Sequence, residues 1–157
     1  AENKALASKY GVTGFPTIKF FPKANKDGED YNGGRSLDDF VAFINEKANT
    51  YRTESGDLSE AAGVDAELSG FAAEYISADA AARAEVKAKI IARAAALNTE
   101  SSQHYVKAVE RIEAKGDNYP QTEIARLTKT LEGKVAADRR DTMVIRRNIL
   151  GAFVKAQ

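Results

Sequence analysis

The side chains able to carry chemistry fall into a few groups. His104 is the single histidine, with Ser101 and Ser102 just ahead of it. A histidine acts as a general base only when a nucleophile or an oriented proton lies within hydrogen-bond reach. Serines at the start of a helical pattern serve as caps, and no acid completes a triad-like set with them, so His104 reads as structural. Asp38-Asp39 and the pair Glu110/Glu113 read as caps and solvated helix faces, and no carboxylate group has metal-ligand spacing. Arg139-Arg140 and Arg146-Arg147 repeat at seven residues, on neighbouring tracks of one helix. That pattern suits a basic patch for an acidic partner or, with Asp138 and Asp141 among the arginines, a salt-bridged surface; the salt-bridged surface is the expectation. The aromatic interleaving of single-strand nucleic-acid binders is missing. Cysteine is absent. Thiol–disulfide exchange needs a thiolate, so this chain cannot act as a dithiol oxidoreductase, and Cys-built zinc sites are excluded too. No cofactor and no metal is expected.

The remaining candidate is a backbone feature. Pro16 stands between a glycine-punctuated turn, Gly11–Gly14, and a run rich in β-formers, Thr17–Phe21. Phe15 must avoid the helical region because a proline follows it. Thr17 and Lys19 alternate with Ile18 and Phe20, which suits a strand with one apolar face. Pro22 ends that strand, having no N–H for the ladder. A proline in a tight turn just before a strand is a candidate cis-proline; an ordinary trans turn is the local alternative.

Elements on either side position this turn. Lys4 to Tyr10 reads as the end of a helix with Ala5, Leu6 and Tyr10 inward and Gly11 as its stop. Asp27-Gly28 is a hairpin-type signal, and a short second strand is expected around Tyr31, ending at Gly33-Gly34. Ser36 opens a helix with Asp39 as its capping-box partner. Leu37, Phe40, Val41, Ile44 and Ala48 form one apolar face that runs to about Tyr51. Residues 52–57 are polar, contain Gly56 and read as a linker.

Beyond the linker the vocabulary is helical, rich in Ala, Glu, Lys and Arg. Periodicity predicts five helices. The first spans Val64 to Ile76 with Leu68, Phe71, Ala72 and Tyr75 inward. The second, from Ser77 or Asp79 to Leu97, turns Val86, Ile90, Ala94 and Leu97 inward. The third is capped by Thr99, Ser101 or Ser102, carries Tyr105, Val109 and Ile112, and stops at Gly116. After a turn at residues 117–120, the fourth runs from Thr122 to Glu132 with Ile124, Leu127 and Leu131. The last spans Val135 to Val154, with Thr142, Ile145, Ile149, Leu150 and Phe153 buried. Short connections favour an antiparallel bundle. Tyr75, Tyr105 and Tyr119 would suit a client-binding surface, but core roles are expected for at least two of them.

The stretch Lys9-Tyr10-Gly11-Val12-Thr13-Gly14-Phe15-Pro16-Thr17-Ile18-Lys19-Phe20-Phe21, with Tyr31-Asn32-Gly33-Gly34-Arg35 and the helix after it, resembles the cis-proline loop and second half of a thioredoxin-type domain of protein disulfide isomerases. With the helical region behind it, the layout is similar to the D subfamily of those proteins. The fold expected is therefore an α+β fragment, residues 1–51, the second half of a thioredoxin-like fold. The 52–57 linker and an all-α bundle of about five helices at 58–157 follow it. The resemblance implies a cis Phe15–Pro16 bond and names Phe15, Pro16 and Thr17 as peptide-contact positions, with Gly14 allowing close backbone approach. It implies unfolded or partly folded protein clients and residence in the endoplasmic reticulum lumen, although Val154-Lys155-Ala156-Gln157 is not a retrieval signal.

The family's dithiol half would precede Ala1, so a longer parent is expected. An open sheet edge near the N-terminus would invite pairing with a second copy. Two parents fit: a disulfide isomerase whose cysteines lie upstream, or a redox-inactive chaperone or escort. Lysine plus arginine equals aspartate plus glutamate at 23 each, so no net field favours nucleic acid. No apolar run reaches the ~20 residues of a membrane span.

Overall fold

The fold is that of a computed structural model, which describes residues 3–154. The sequence readings at residues 1–2 and 155–157 lie outside the described residues. The chain divides into two compact units, Ala1–Gly56 and Asp57–Gln157.

The first unit runs α1 (Lys4–Lys9), β1 (Lys19–Phe20), β2 (Glu29–Asp30) and α2 (Leu37–Ala48). The strands pair antiparallel, Lys19 opposite Asp30 and Phe20 opposite Glu29, and Lys19 forms an ion pair with Asp30. Both strands are shorter than the alternation predicts. Tyr31 lies just past β2, where its N–H still donates to Ile18 O at 2.9 Å. The Ser36 hydroxyl accepts from Asp39 N at 3.2 Å, and Asp39 Oδ2 accepts from Ser36 N at 3.0 Å, completing the expected capping box. The Ser36 hydroxyl also donates to Asp39 Oδ2 at 2.6 Å; this bond first, then that from Ser36 N, holds the Asp39 carboxyl below its usual range. The helix ends at Ala48, not Tyr51, because Asn49 takes the left-handed conformation at φ 50°.

No described residue of this unit is fully buried. Its packing is a layer of rings: Phe20 on Phe43, Tyr31 on Phe40 and Phe43, and Tyr10 on Phe21, with centroids 4.7–5.5 Å apart. Phe43, absent from the predicted face of α2, does most to join helix to hairpin. Leu37 and Ile44 of that face are exposed, as are Ala5 and Leu6 of α1; Ala7 and Tyr10 are the half-buried residues there.

The second unit is a five-helix bundle of α3 (Ala66–Ser77), α4 (Ala80–Leu97), α5 (Glu100–Lys115), α6 (Tyr119–Leu131) and α7 (Ala137–Gly151). Asp65, Asp79 and Thr99 cap α3, α4 and α5 through side-chain oxygens, satisfying N–H groups that have no partner within the helix. Neighbours in sequence pack together, and α5 also meets α7. The core contains Leu68, Tyr75, Ile90, Tyr105, Ile112, Leu127, Ile149 and Phe153. Tyr75, Tyr105 and Tyr119 are all buried, so none forms a client surface.

Two boundaries and one face differ from expectation. Helix α6 starts at Tyr119, three residues early, with Pro120 in its first turn, where a missing N–H costs no helical hydrogen bond. Helix α7 is shorter than predicted. It buries Val144, whereas Thr142 is exposed and its hydroxyl donates back to Asp138 O at 3.2 Å.

Candidate functional site

The loop at Gly14–Thr17 leaves α1 through a tight turn. Gly11, at φ +65°, donates its N–H to Ser8 O at 3.2 Å, and Val12 N donates to Ala7 O at 2.8 Å. These bonds reverse the chain so that residues 12–15 run back beside the helix. The Phe15–Pro16 peptide is cis. Beyond it the Thr17 hydroxyl donates to Gly14 O at 2.7 Å, bracing the loop on both sides of the proline.

The result places the four predicted site residues on one short projection. The Phe15 side chain is 95% exposed, a costly position for a benzyl group in water. Beside it lies an apolar groove of about 740 Å³, walled by Leu6 and Ala7 of α1, by Tyr10 at its C-cap, and by Val12 and Phe15 of the loop. A Cβ placed on Gly14 would meet nothing within 4 Å. The wall supplied by α1 was not predicted as part of the site, although Ala7 and Tyr10 stand three apart and so share a helix face.

The groove offers shape and exposed apolar surface, not reactive groups. Thr17 is the one hydroxyl among the predicted site residues, and it already donates to a carbonyl. In the helical unit, Ser102 is buried; its hydroxyl accepts from Thr99 N at 3.2 Å, completing the capping box, and donates to Ala94 O at 3.0 Å, which removes it as a nucleophile. His104 is half-buried; burial first, then the charge of Lys107, keep its imidazole below the usual range. Among the described residues no three His, Asp or Glu side chains gather as a metal site, and no helix is long and apolar enough to cross a membrane.

One arginine of each pair has an acidic partner on a distant segment. Arg140 Nε donates to Asp57 Oδ1 at 3.1 Å, and Arg146 reaches Glu123 Oε1 at 2.9 Å. Glu123 also accepts from Arg126 at 2.8 Å. Arg126 first, and Arg146 with it, outweigh burial and hold the Glu123 carboxyl below its usual range.

Comparison with known proteins matches two families in tandem. The family described as "Endoplasmic reticulum protein ERp29, C-terminal domain" matches residues 63–153, and "Thioredoxin" matches residues 1–46. Among similar proteins, "Protein disulfide isomerase-like 2-1" of Oryza sativa subsp. japonica is 43% identical over 155 residues, covering 97% of this chain and 42% of that protein. "Protein disulfide-isomerase 1" of Dictyostelium discoideum is 43% identical over 157 residues, covering 98% and 43%. "Probable protein disulfide-isomerase A6" of Medicago sativa is 42% identical over 151 residues, covering 94% and 42%. The chain therefore spans less than half the length of these relatives.

Proposed function

Because this chain belongs to the protein disulfide isomerases of the D subfamily, a thioredoxin segment followed by the ERp29-type helical domain, we propose that the whole protein rearranges disulfides in clients within the endoplasmic reticulum lumen. In this reading residues 1–56 contribute the substrate-holding side of the site and no redox chemistry, because the chain has no cysteine. A cysteine pair elsewhere in the whole protein supplies the thiolate. It attacks a client disulfide, forms a mixed disulfide with one client sulfur and releases the other as a thiolate.

One observation carries the reading: an exposed Phe15 on a cis-proline loop, bordering an apolar groove. An extended client segment pairing with the loop's main chain covers Phe15 and fills the groove, a mode of strand addition with side-chain pockets. The open space at Gly14 leaves room for that second backbone. The helical domain holds clients in the same reading. The outer edge of the β1–β2 hairpin, unprotected by a third strand, takes a second copy of the chain, which sedimentation equilibrium tests.

The test uses amide resonances of this chain titrated with a reduced, carboxymethylated, unfolded protein. Shifts should concentrate at Gly14, Phe15 and Thr17 and along α1, and Phe15→Ala should weaken binding roughly ten- to hundredfold, since burying a phenylalanine side chain is worth about 1.5–3 kcal/mol. Binding unaffected by Phe15→Ala, with shifts elsewhere, would overturn the assignment. The whole protein should reduce insulin with a thiol donor, whereas residues 1–157 should not. A whole protein lacking any Cys-x-x-Cys upstream of Ala1 would make it a redox-inactive chaperone instead.

A further inference from the structure

A cavity of about 320 Å³ opens in the helical unit between α5, the start of α6 and α7. It shares no residue with the cis-proline loop, and nothing in the proposed isomerase chemistry uses it. Helix α5 supplies His104, Lys107 and Arg111, spaced three and four apart, so all three project on one face. From α7, Arg146 donates to the Tyr119 hydroxyl oxygen at 2.9 Å and ion-pairs with Glu123. The Tyr119 oxygen is thereby used as an acceptor, and its own proton is left to donate. Ala108 and Leu150, both buried, add apolar surface.

The charges in and around this cavity do not cancel. Glu123 is matched by Arg126 and Arg146. Lys107 and Arg111 make no ion pair among the described residues. Glu110 is the one carboxylate lining the cavity and stands against those two cations. A concave site with surplus positive charge, a hydroxyl donor and apolar surface selects an anion attached to a small apolar body. Arginine adds a planar fork of donors that matches carboxylate or phosphate oxygens. The volume lies at the lower end of small-molecule pockets.

We propose that this cavity binds a small molecule bearing a carboxylate or phosphate, held by Lys107 and Arg111, with Tyr119 donating a hydrogen bond and Leu150 beneath the apolar part. His104 makes the proposal readable, because a single histidine gives one unambiguous set of imidazole resonances. The groups acting on it are Lys107, Glu100 and Arg146, with Glu110, Arg111 and Tyr119 lining the same cavity. An anion added to that set favours the imidazolium, so the His104 titration midpoint rises when the site is filled.

The experiment titrates the full 157-residue chain with sodium phosphate and, separately, sodium succinate, at ionic strength held constant with sodium chloride. Saturable shifts of His104 are expected with at least one of the two, and which one saturates identifies the anion class. Lys107→Gln with Arg111→Gln should weaken the response at least about tenfold, as loss of hydrogen bonds to charged groups implies. Glu110→Gln should tighten it by about threefold through loss of a competing charge. Both variants alter exposed side chains, and circular dichroism checks that the bundle is intact. Shifts that follow ionic strength alone, or saturation identical in the double variant and the parent, overturn the proposal.

Discussion

Gly63 sits in the loop that leads into α3, at φ +77°, against the side of α7. A Cβ there would stand 2.5 Å from Ile145 Cγ2 and 3.3 Å from its Cβ and Cγ1. The loop cannot easily swing away, because the Asn148 amide donates to both Ser59 O at 3.0 Å and Ala62 O at 3.2 Å. Gly63→Ala therefore meets two separate costs. Left-handed backbone costs an alanine about 1–2 kcal/mol, and forcing a methyl into a packed contact adds about 1–3 kcal/mol. The sum, about 2–5 kcal/mol, lowers the melting temperature by about 10 °C or more in a unit of this size. Ile145→Leu separates the costs, because it removes the β-branch that makes the closest contact. Alone it should cost below about 1.5 kcal/mol; in the double variant the steric part should vanish and about 1–2 kcal/mol of backbone cost remain. Urea denaturation of the four proteins gives the cycle directly. A Gly63→Ala cost below about 1 kcal/mol, or a double variant that is merely additive, would refute this account of the loop.

Acid should act on the bundle in two separable windows. Burial and Lys107 keep His104 below its ordinary value, so the unfolded chain binds its proton more readily. Stability is then highest above the unfolded value of about 6.5 and declines as pH falls through it toward the folded value; His104→Gln should flatten urea midpoints between pH 7.5 and about 5.5. Glu123, held low chiefly by Arg126, contributes stability above the ordinary carboxylate range and loses it as pH falls further. Glu123→Gln should lower stability at pH 7 and leave the variant less sensitive below about pH 4.5. Tyr105 accepts from Asp65 N at 3.2 Å and pairs with the Ser69 hydroxyl at 2.8 Å. Tyr105→Phe leaves those partners unmatched and should cost about 1–3 kcal/mol by urea denaturation, with little change in helix content.

Features with local causes were legible in the sequence. Asp79, Thr99 and Ser36 cap helices because a short oxygen-bearing side chain reaches the next turn's N–H groups wherever the helix later packs. The turn before β1 was legible for a similar reason, because its glycines, proline and following strand are contiguous; the cis isomer was implied by the family resemblance, since local chemistry leaves a trans turn equally open. Pro120 misled the boundary of α6, since a proline reads as a break and its fitness for a first turn depends on where the helix begins. Phe43 was missed because α2 packs against a thin ring layer that takes only part of its regular apolar stripe: Phe40 is in contact, whereas Leu37 and Ile44 are exposed. The partners of Arg140 and Arg146 lie on distant segments, Asp57 and Glu123, and no spacing rule along one helix connects them. The groove beside Phe15 depends on how α1 folds back on the loop, and the cavity beside His104 on how three helices meet.

The absence of a fully buried side chain in residues 3–56 has a thermodynamic consequence. Heat capacity rises on unfolding because apolar surface meets water, and the ring layer between hairpin and α2 has little left to expose. A calorimetric scan of this chain should show one endotherm, from the bundle, with a step of about 1.2–1.5 kcal/mol/K appropriate to roughly 100 residues. The amino-terminal third would pass through that scan almost silently, its enthalpy changing gradually with no peak of its own.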